Sequence, residues 1–158
     1  MKYAITILFS VTSLFFSCAK NNMVTNTGSS LKSESFDEND TVKSQIKITV
    51  GNKIFEATLY DNEAAKAFKA LLPLTIRMDD FGGNEKKFDF STKFPSDNYN
   101  PENIAKGDLM IWSGNTLVLF YKSFPTKYSY TKLGKIDDSS GIEKAVGEGS
   151  VMIKFELK

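Results

Sequence analysis

Apolar and polar residues alternate along much of the chain after Gln45, which is the pattern of half-buried β-strands. Residues 46–50 and residues 55–59 both alternate in this way. Between them stands Gly51-Asn52, a dipeptide typical of tight hairpin turns. We therefore predict that the domain begins with two antiparallel strands, each with one buried face.

Two short segments have the spacing of amphipathic helices. Residues 61–62, Asp-Asn, can cap a first helix, and Pro73 ends it because proline cannot continue a helix. A second helix is predicted within residues 137–146, capped by Asp138 or Ser139. The apolar side of the first helix consists of Ala64, Phe68, Leu71 and Leu72.

The second half of the chain carries further strand signals. Residues 117–121 are apolar throughout, so this strand is predicted to be covered on both faces. Residues 128–136 and 151–157 are predicted as strands, and residues 91–107 as a long loop of the kind that is often functional. About eight short strands and two short helices predict a mainly β fold, a closed β-barrel with two capping helices.

The composition excludes most familiar catalytic chemistry. The 158 residues include no histidine and one cysteine, and Arg77 is the single arginine. Without an imidazole, neither a Ser-His-Asp nor a Cys-His arrangement can be built, and metal sites lose their commonest ligand. We therefore predict no metal site and no cofactor.

The charge pattern argues against nucleic acid as a partner. Without residues 1–17, which include Lys2 and no acidic residue, basic and acidic residues are equal in number. One arginine cannot provide the bidentate contacts that read phosphates and guanines, and no basic run is interleaved with aromatic residues. Two charged clusters, residues 37–40 and 85–87, are interpreted as a solvated acidic patch and a solvated hairpin end.

The N-terminus has the features of a bacterial lipoprotein signal. Lys2 precedes an apolar segment, residues 4–16, that is too short to span a bilayer comfortably. Residues 14–18, Leu-Phe-Phe-Ser-Cys, resemble a lipobox, although Phe15 replaces the more usual leucine. The resemblance implies cleavage before Cys18 and acylation of its thiol, and therefore anchoring to a membrane of the bacterial envelope. Secretion with a free cysteine is the alternative.

These features predict three segments. Residues 1–17 are the lipoprotein signal peptide, and residues 18–44, which are mostly polar and lack periodicity, form a disordered tether. Residues 45–158 form the globular domain, in the periplasm or outside the cell.

Several short sequence segments of the domain resemble segments of cyclophilins. Residues 67–71, Ala-Phe-Lys-Ala-Leu, resemble the Asn-Phe-Arg-x-Leu helix of that family. Residues 107–110, Gly-Asp-Leu-Met, and residues 133–136, Leu-Gly-Lys-Ile, are similar to the family's Gly-x-Leu-x-Met and Phe-Gly-Lys-Val segments. The order and spacing agree over roughly residues 45–157.

The closer resemblance is to small bacterial cyclophilin-like domains. Two segments typical of those domains occur in this chain, Leu-Leu-Pro-Leu-Thr at residues 71–75 and Asn-Thr-Leu-Val-Leu-Phe-Tyr at residues 115–121. The resemblance implies an eight-stranded barrel capped by two helices. Cyclophilins are peptidyl-prolyl isomerases, and Arg77 stands near the place of the family's catalytic arginine. The family's glutamine is missing, and Tyr130 occupies the position of its pocket histidine.

Because most of the cyclophilin catalytic residues are missing, the sequence favours a non-enzymatic module that binds a peptide, a protein or a small molecule. A weak prolyl isomerase that uses Arg77 is one alternative, and it requires the Arg77 side chain to lie in a groove. The other interpretation of Arg77 is a strand residue that faces solvent and pairs with Asp79 or Asp89. A structural lipoprotein that recognises a protein partner is another. Trp112 is a groove residue or a barrel-end plug. Candidate groove residues are Met78, Trp112, Leu119, Tyr121, Tyr128 and Tyr130, the last two on one face of a strand.

Overall fold

The computed structural model of the protein describes residues 44–158, and eight of its strands close a barrel. Neighbouring barrel strands are antiparallel and follow the order β1-β10-β3-β4-β7-β6-β9-β2, while β5 and β8 form a separate two-stranded ribbon. The mainly β barrel with two helices is confirmed. The elements are β1 (Gln45–Val50), β2 (Lys53–Leu59), α1 (Glu63–Lys69), β3 (Leu74–Phe81), β4 (Glu85–Asp89), β5 (Asn103–Ile104), β6 (Asp108–Trp112), β7 (Thr116–Phe120), β8 (Phe124–Pro125), β9 (Tyr130–Ile136), α2 (Ile142–Val146) and β10 (Val151–Leu157).

The barrel interior is filled by the inward residues of every strand. The predicted hairpin of β1 and β2 is present, with Ile48 opposite Phe55 and both side chains buried. Helix α1 contributes Phe68, whose ring meets Phe155 of β10 edge to face at a centroid separation of 5.6 Å. Burial of such rings removes apolar surface from water at roughly 25 cal/mol per Å², which makes this core the main source of stability.

Strand β7 is buried along its whole length, as its apolar run predicts. Leu117 and Leu119 belong to the barrel core, whereas Val118 and Phe120 point outward. The outward pair packs against Ile104 and Phe124, which lie on the β5–β8 ribbon. The outer cluster, as we call Ile104, Met110, Val118, Phe120 and Tyr130 with the half-buried Tyr99, Trp112 and Phe124, is thus a second apolar centre outside the barrel.

The helix ends differ in part from the prediction. Asn62 caps α1 through its side-chain oxygen, which accepts a hydrogen bond from the backbone N–H of Ala65 at 2.8 Å. The helix ends at Lys69, before the predicted Leu71, whose side chain is exposed. The predicted caps of the second helix, Asp138 and Ser139, are wrong: α2 begins after Gly141.

The reason for the second difference is a local turn. The Asp138 carboxylate accepts a hydrogen bond from the backbone N–H of Ser140 at 2.9 Å, so it closes the turn before the helix instead of capping the helix. Gly141 then adopts a φ of 79°, a conformation that glycine tolerates and that carries the chain into α2.

The predicted strand over residues 128–136 begins later, at Tyr130. Tyr128 lies in the preceding segment, where its backbone N–H donates to the Thr126 hydroxyl at 3.1 Å. The predicted long loop, residues 91–107, is real but contains β5, and Tyr99 forms an isolated bridge with Tyr130. Both segments are therefore ordered against the wall of the barrel. No helix within residues 44–158 is long and apolar enough to cross a membrane.

The position of Gly134 explains why glycine occurs in the cyclophilin-like segment at residues 133–136. On β9 it pairs with Leu59, and a Cβ built there would lie 2.6 Å from the carbonyl oxygen of Thr58. The close approach of β9 to β2 therefore requires glycine at this position.

Candidate functional site

Three predicted groove residues lie inside the barrel. Met78 and Leu119 are fully buried, and Tyr121 is 5% exposed. All three belong to the barrel core, because the alternation along β3 and β7 turns them inward. Met78 and Leu119 are therefore too buried to line an open groove, which corrects the prediction for these two, whereas Tyr121 borders an open cleft.

A row of outward side chains crosses four neighbouring strands. Asp89 of β4 pairs with Thr116 of β7, which pairs with Trp112 of β6, which in turn pairs with Tyr130 of β9. Opposite residues of antiparallel strands project from the same face, so the four side chains share the outer wall. The Thr116 hydroxyl donates a hydrogen bond to Asp89 Oδ1 at 2.6 Å, which holds one end of the row in place.

Near the other end of this row, two aromatic rings form a pair that is partly exposed. Tyr130 is only 6% exposed, because its ring packs edge to face on Phe120. Tyr128, in contrast, is 63% exposed, and its ring lies 6.0 Å from that of the half-buried Trp112. Trp112 and Tyr128 thus form an aromatic surface at the edge of the outer cluster, which we call the aromatic pair. Trp112 is therefore not a buried plug of the barrel end.

Arg77 lies on the outer face of β3, where it pairs with the exposed Met152 of β10. It forms no ion pair within residues 44–158. The carboxylate of Asp79 accepts the Ser150 hydroxyl, and that of Asp89 accepts Thr116. The expected pairing of Arg77 with Asp79 or Asp89 is therefore absent from the described structure, and its side chain is exposed on the wall.

A buried ionic cluster lies where the sequence predicts a solvated hairpin end. Lys86 is fully buried, because Lys86 pairs with Leu119 and so points into the end of the barrel. Its Nζ donates to Asp80 Oδ2 at 2.6 Å, to the Gly147 carbonyl at 2.8 Å and to the Gly149 carbonyl at 2.7 Å. The prediction of a solvated lysine is wrong here, and strand alternation is the signal that could have corrected it.

Tyr121 completes this ionic cluster. Its hydroxyl donates to Asp80 Oδ2 at 2.8 Å, and burial together with that bond raises the pKa of Tyr121 well above its ordinary value. Burial opposes the charge on Asp80, but the hydrogen bonds from Lys86 and Tyr121 outweigh it and hold the pKa of Asp80 below its ordinary value. The cluster is therefore a satisfied ion pair with a structural role.

Glu85, the residue before Lys86, points to the opposite side of the strand and is also largely buried. It pairs with Phe120 and with Phe81, so it lies on the outer wall, and it is 9% exposed. Its carboxylate accepts no hydrogen bond from the described residues, but no buried side-chain oxygen is left without a partner there, so the Glu85 oxygens still reach solvent. Burial raises the pKa of Glu85 to about 7, although Lys87 opposes this shift.

An open cleft of about 290 Å³ borders the outer wall, where Tyr130, Ile111 and Phe94 contribute to its lining. Another, with a volume of about 780 Å³, lies between the β1–β2 turn and α2, where Phe55 and Ala145 contribute apolar surface and Lys53 and Asp138 contribute charge. A third, of about 490 Å³, lies above Asp80 and Tyr121. In residues 44–158, no group of three or more carboxylates and thiols is placed to hold a metal ion.

Comparisons with known proteins identify the fold. The family model described as the cyclophilin-like family matches residues 48–156. A solved structure, the solution structure of a hypothetical protein from Archaeoglobus fulgidus, is similar with a TM-score of 0.53 and 20% identity, over 74% of this chain and 96% of that one. At that identity the likeness concerns the fold. No curated protein matches the chain.

Replacement of Lys86 by methionine tests the ionic cluster. We expect the free energy of unfolding to fall by about 3–5 kcal/mol, because Asp80 is left without its cation and two carbonyls lose their donor. Urea unfolding at pH 7 measures the change. Lys87→Met is the matched control, and we expect it to cost less than about 1 kcal/mol because that lysine is partly exposed. Equal effects of the two substitutions would contradict the structural role.

Proposed function

Because this chain belongs to the cyclophilin-like family, we propose that its barrel is a non-enzymatic binding module of a lipid-anchored protein in the bacterial envelope. The module takes a peptide or a small molecule on the outer wall of β3, β4, β7 and β6. The observation that carries this proposal is the aromatic pair, in which Tyr128 is 63% exposed and stands against Trp112. Large, exposed and mutually braced rings are the side chains that most often dominate binding energy.

The spacing of the wall indicates the size of the ligand. Arg77 is on β3 and Trp112 on β6, three strand spacings apart in the barrel order. Neighbouring strands are roughly 4.8 Å apart, so the two backbones are separated by about 14 Å along the wall. An extended peptide of about four or five residues covers that distance at about 3.3 Å per residue. The Arg77 guanidinium can donate to a carbonyl or a carboxylate of such a ligand.

Substitution of the aromatic pair tests binding. A library of capped tetrapeptides and small-molecule fragments is titrated into the purified domain, residues 44–158, and followed by ¹H-¹⁵N NMR. We expect saturable shifts at residues 110–112 and 128–130, and at least a tenfold loss of affinity in Trp112→Ala and in Tyr128→Ala. Each lost ring is expected to remove about 1.4 kcal/mol or more of binding free energy.

Ile54→Ala is the matched control, because Ile54 is similarly exposed but lies on β2, away from the wall. Its affinity should equal that of the wild type. The absence of any saturable ligand, or an equal loss in the control, would argue against the binding module.

The membrane anchor rests on the N-terminal sequence. Cys18 lies outside the described residues, so the support is the resemblance of residues 14–18 to a lipobox. Acyl chains on one residue hold a protein at a bilayer, since each buried CH₂ contributes roughly 0.8 kcal/mol.

The full-length protein, expressed in bacteria fed with labelled palmitate, tests the anchor. We expect the wild-type protein and the Ser30→Ala control to carry the label, and the Cys18→Ser protein to carry none. Label on the Cys18→Ser protein would argue against acylation at this thiol.

A weak prolyl isomerase is a second candidate, favoured by the exposed Arg77 side chain that has no ion-pair partner among the described residues. A donor near the prolyl nitrogen stabilises the twisted amide of the transition state. Leu119 is fully buried and Tyr130 is only 6% exposed, so neither offers a large apolar surface beside Arg77, which is why we rank this function second.

A protease-coupled assay with proline peptides decides between the two. An isomerase requires a rate above the uncatalysed one, and we expect Arg77→Ala to abolish it while Lys47→Ala, an exposed substitution on β1, leaves it unchanged. A wild-type rate equal to the uncatalysed rate would leave the binding module as the function, and equal rates of the wild-type and Arg77→Ala domains above it would exclude Arg77 as the donor.

A further inference from the structure

Strand β2 extends beyond its neighbour β9, so part of one strand edge has no partner strand. On one side, β1 pairs with β2 from Lys53 to Thr58. On the other side, the ladder with β9 covers Ala57–Leu59 only. The barrel is closed at this seam by those three residue pairs, and residues 53–55 lie beyond them. We call these three residues the open edge of β2.

The main-chain groups of Ile54 point out of the open edge. In a β-strand the N–H and C=O of one residue point to the same side, and those of the next residue to the opposite side. The Glu56 carbonyl accepts the N–H of Asp137 at 2.9 Å, so residues of this parity face β9, and the bond from Tyr60 N–H to the Leu133 carbonyl follows the same alternation. Ile54 therefore faces the same way, and within residues 44–158 no hydrogen bond to its N–H or C=O is formed there.

The open edge lines the cleft of about 780 Å³ between the β1–β2 turn and α2. Phe55 and Ala145 give this cleft apolar surface, and the Ile54 side chain is 64% exposed beside it. The volume lies in the range of sites that bind small ligands. A strand edge beside apolar surface suits an extended peptide, because the peptide main chain pairs with the edge while alternate side chains contact the cleft.

Two lysines are the cleft-lining charges that have no ionic partner within residues 44–158. Lys53 lies on β2 and Lys144 on α2, so they border the cleft from two elements. The carboxylates that line the cleft are each engaged within the domain, Glu56 with the Lys158 ammonium at 2.8 Å, Asp137 with the Thr58 hydroxyl at 2.7 Å and Asp138 with the Ser140 N–H at 2.9 Å. An acidic side chain on the ligand is therefore the complement that the lysines select.

We propose that the open edge of β2 binds an extended acidic peptide segment of another protein, which adds a strand to the main chain of Ile54 and presents a carboxylate to Lys53 and Lys144. This site is separate from the aromatic pair and does not depend on the proposed function. The open edge spans three residues, about 10 Å at 3.3 Å per residue, which corresponds to a peptide of three or four residues.

The probe for this site is the capped peptide acetyl-Val-Glu-Val-Glu-amide, titrated into the domain, residues 44–158, which contains every strand of the closed barrel. We expect saturable NMR shifts at residues 52–56 and 138–145. Hydrogen exchange of the Ile54 amide should slow about tenfold at saturation, whereas the exposed Lys127 amide should not change. The same peptide N-methylated at its two central residues cannot donate to the edge, and equal binding of both peptides would overturn the added strand.

Ile54→Pro tests the main-chain contact from the side of the domain. Proline removes the N–H that faces the cleft but no bond to β1, so the domain is expected to fold and to lose about tenfold in affinity for the probe. Ile54→Ala keeps the N–H and is the matched control, with affinity close to that of the wild type. If Ile54→Pro fails to fold, the N-methylated peptide still decides the question.

The charge preference has its own test. The double substitution Lys53→Gln with Lys144→Gln should reduce affinity for the probe about tenfold and leave affinity for acetyl-Val-Gln-Val-Gln-amide unchanged. Lys47→Gln, an exposed substitution on β1, is the control and should bind both peptides as the wild type does. Equal affinity of the wild type for the two peptides would refute the preference for an acidic segment.

Other occupants of the open edge give different results. A second copy would appear as a dimer in sedimentation velocity, dissociated by Ile54→Pro, and residues 19–43 would weaken the probe about tenfold in the chain 19–158. Either result would overturn the assignment to another protein. Trp112→Ala should bind the probe as the wild type does, so failure of the outer-wall site leaves this inference intact. Loss of the probe in Trp112→Ala would place it on the outer wall and refute this site.

Discussion

Closure of the barrel is the constraint on which the rest of this structure depends. Eight antiparallel strands return to their starting point, so every strand has one face inside and one face outside, and each has a hydrogen-bonded neighbour on both sides. A side chain can change its environment only by a shift of one residue along the strand. Leu119 therefore belongs to the barrel core and Phe120 to the outer wall, although both are apolar and both are buried.

The two charged neighbours Glu85 and Lys86 show the same constraint acting on polar groups. Alternation sends Lys86 into the barrel end, where Asp80 and two carbonyls satisfy all three of its donors. The same alternation sends Glu85 to the wall, beside Phe81 and Phe120, where its carboxylate still reaches solvent. A buried charge that is fully paired, as Lys86 is, stabilises a unique arrangement.

Most barrel strands could be predicted because they depend on local alternation, and the start of the first helix could be predicted from its capping residue. The hairpin of residues 46–59, the cap at Asn62 and the doubly covered β7 are examples. The second apolar layer could not be predicted in the same way. Ile104 and Phe124 are 20 residues apart, and only the folded ribbon brings them together over Phe120. For this reason the apolar run of β7 could indicate that both of its faces are buried, but it could not show which segment covers the outer face.

The candidate site was harder to predict than the fold, because residue type alone does not distinguish the two faces of a strand. Tyr121, Tyr128 and Tyr130 are close in sequence but lie in the core, at the surface and beneath the ribbon. Of the three, only Tyr128 leaves a large aromatic surface in contact with solvent. The inward residues of the strands form the barrel core, so the contacts of the proposed ligand come from what the wall exposes. Along this wall those features are the aromatic pair and Arg77, about 14 Å apart, and together they favour an extended ligand over a compact one.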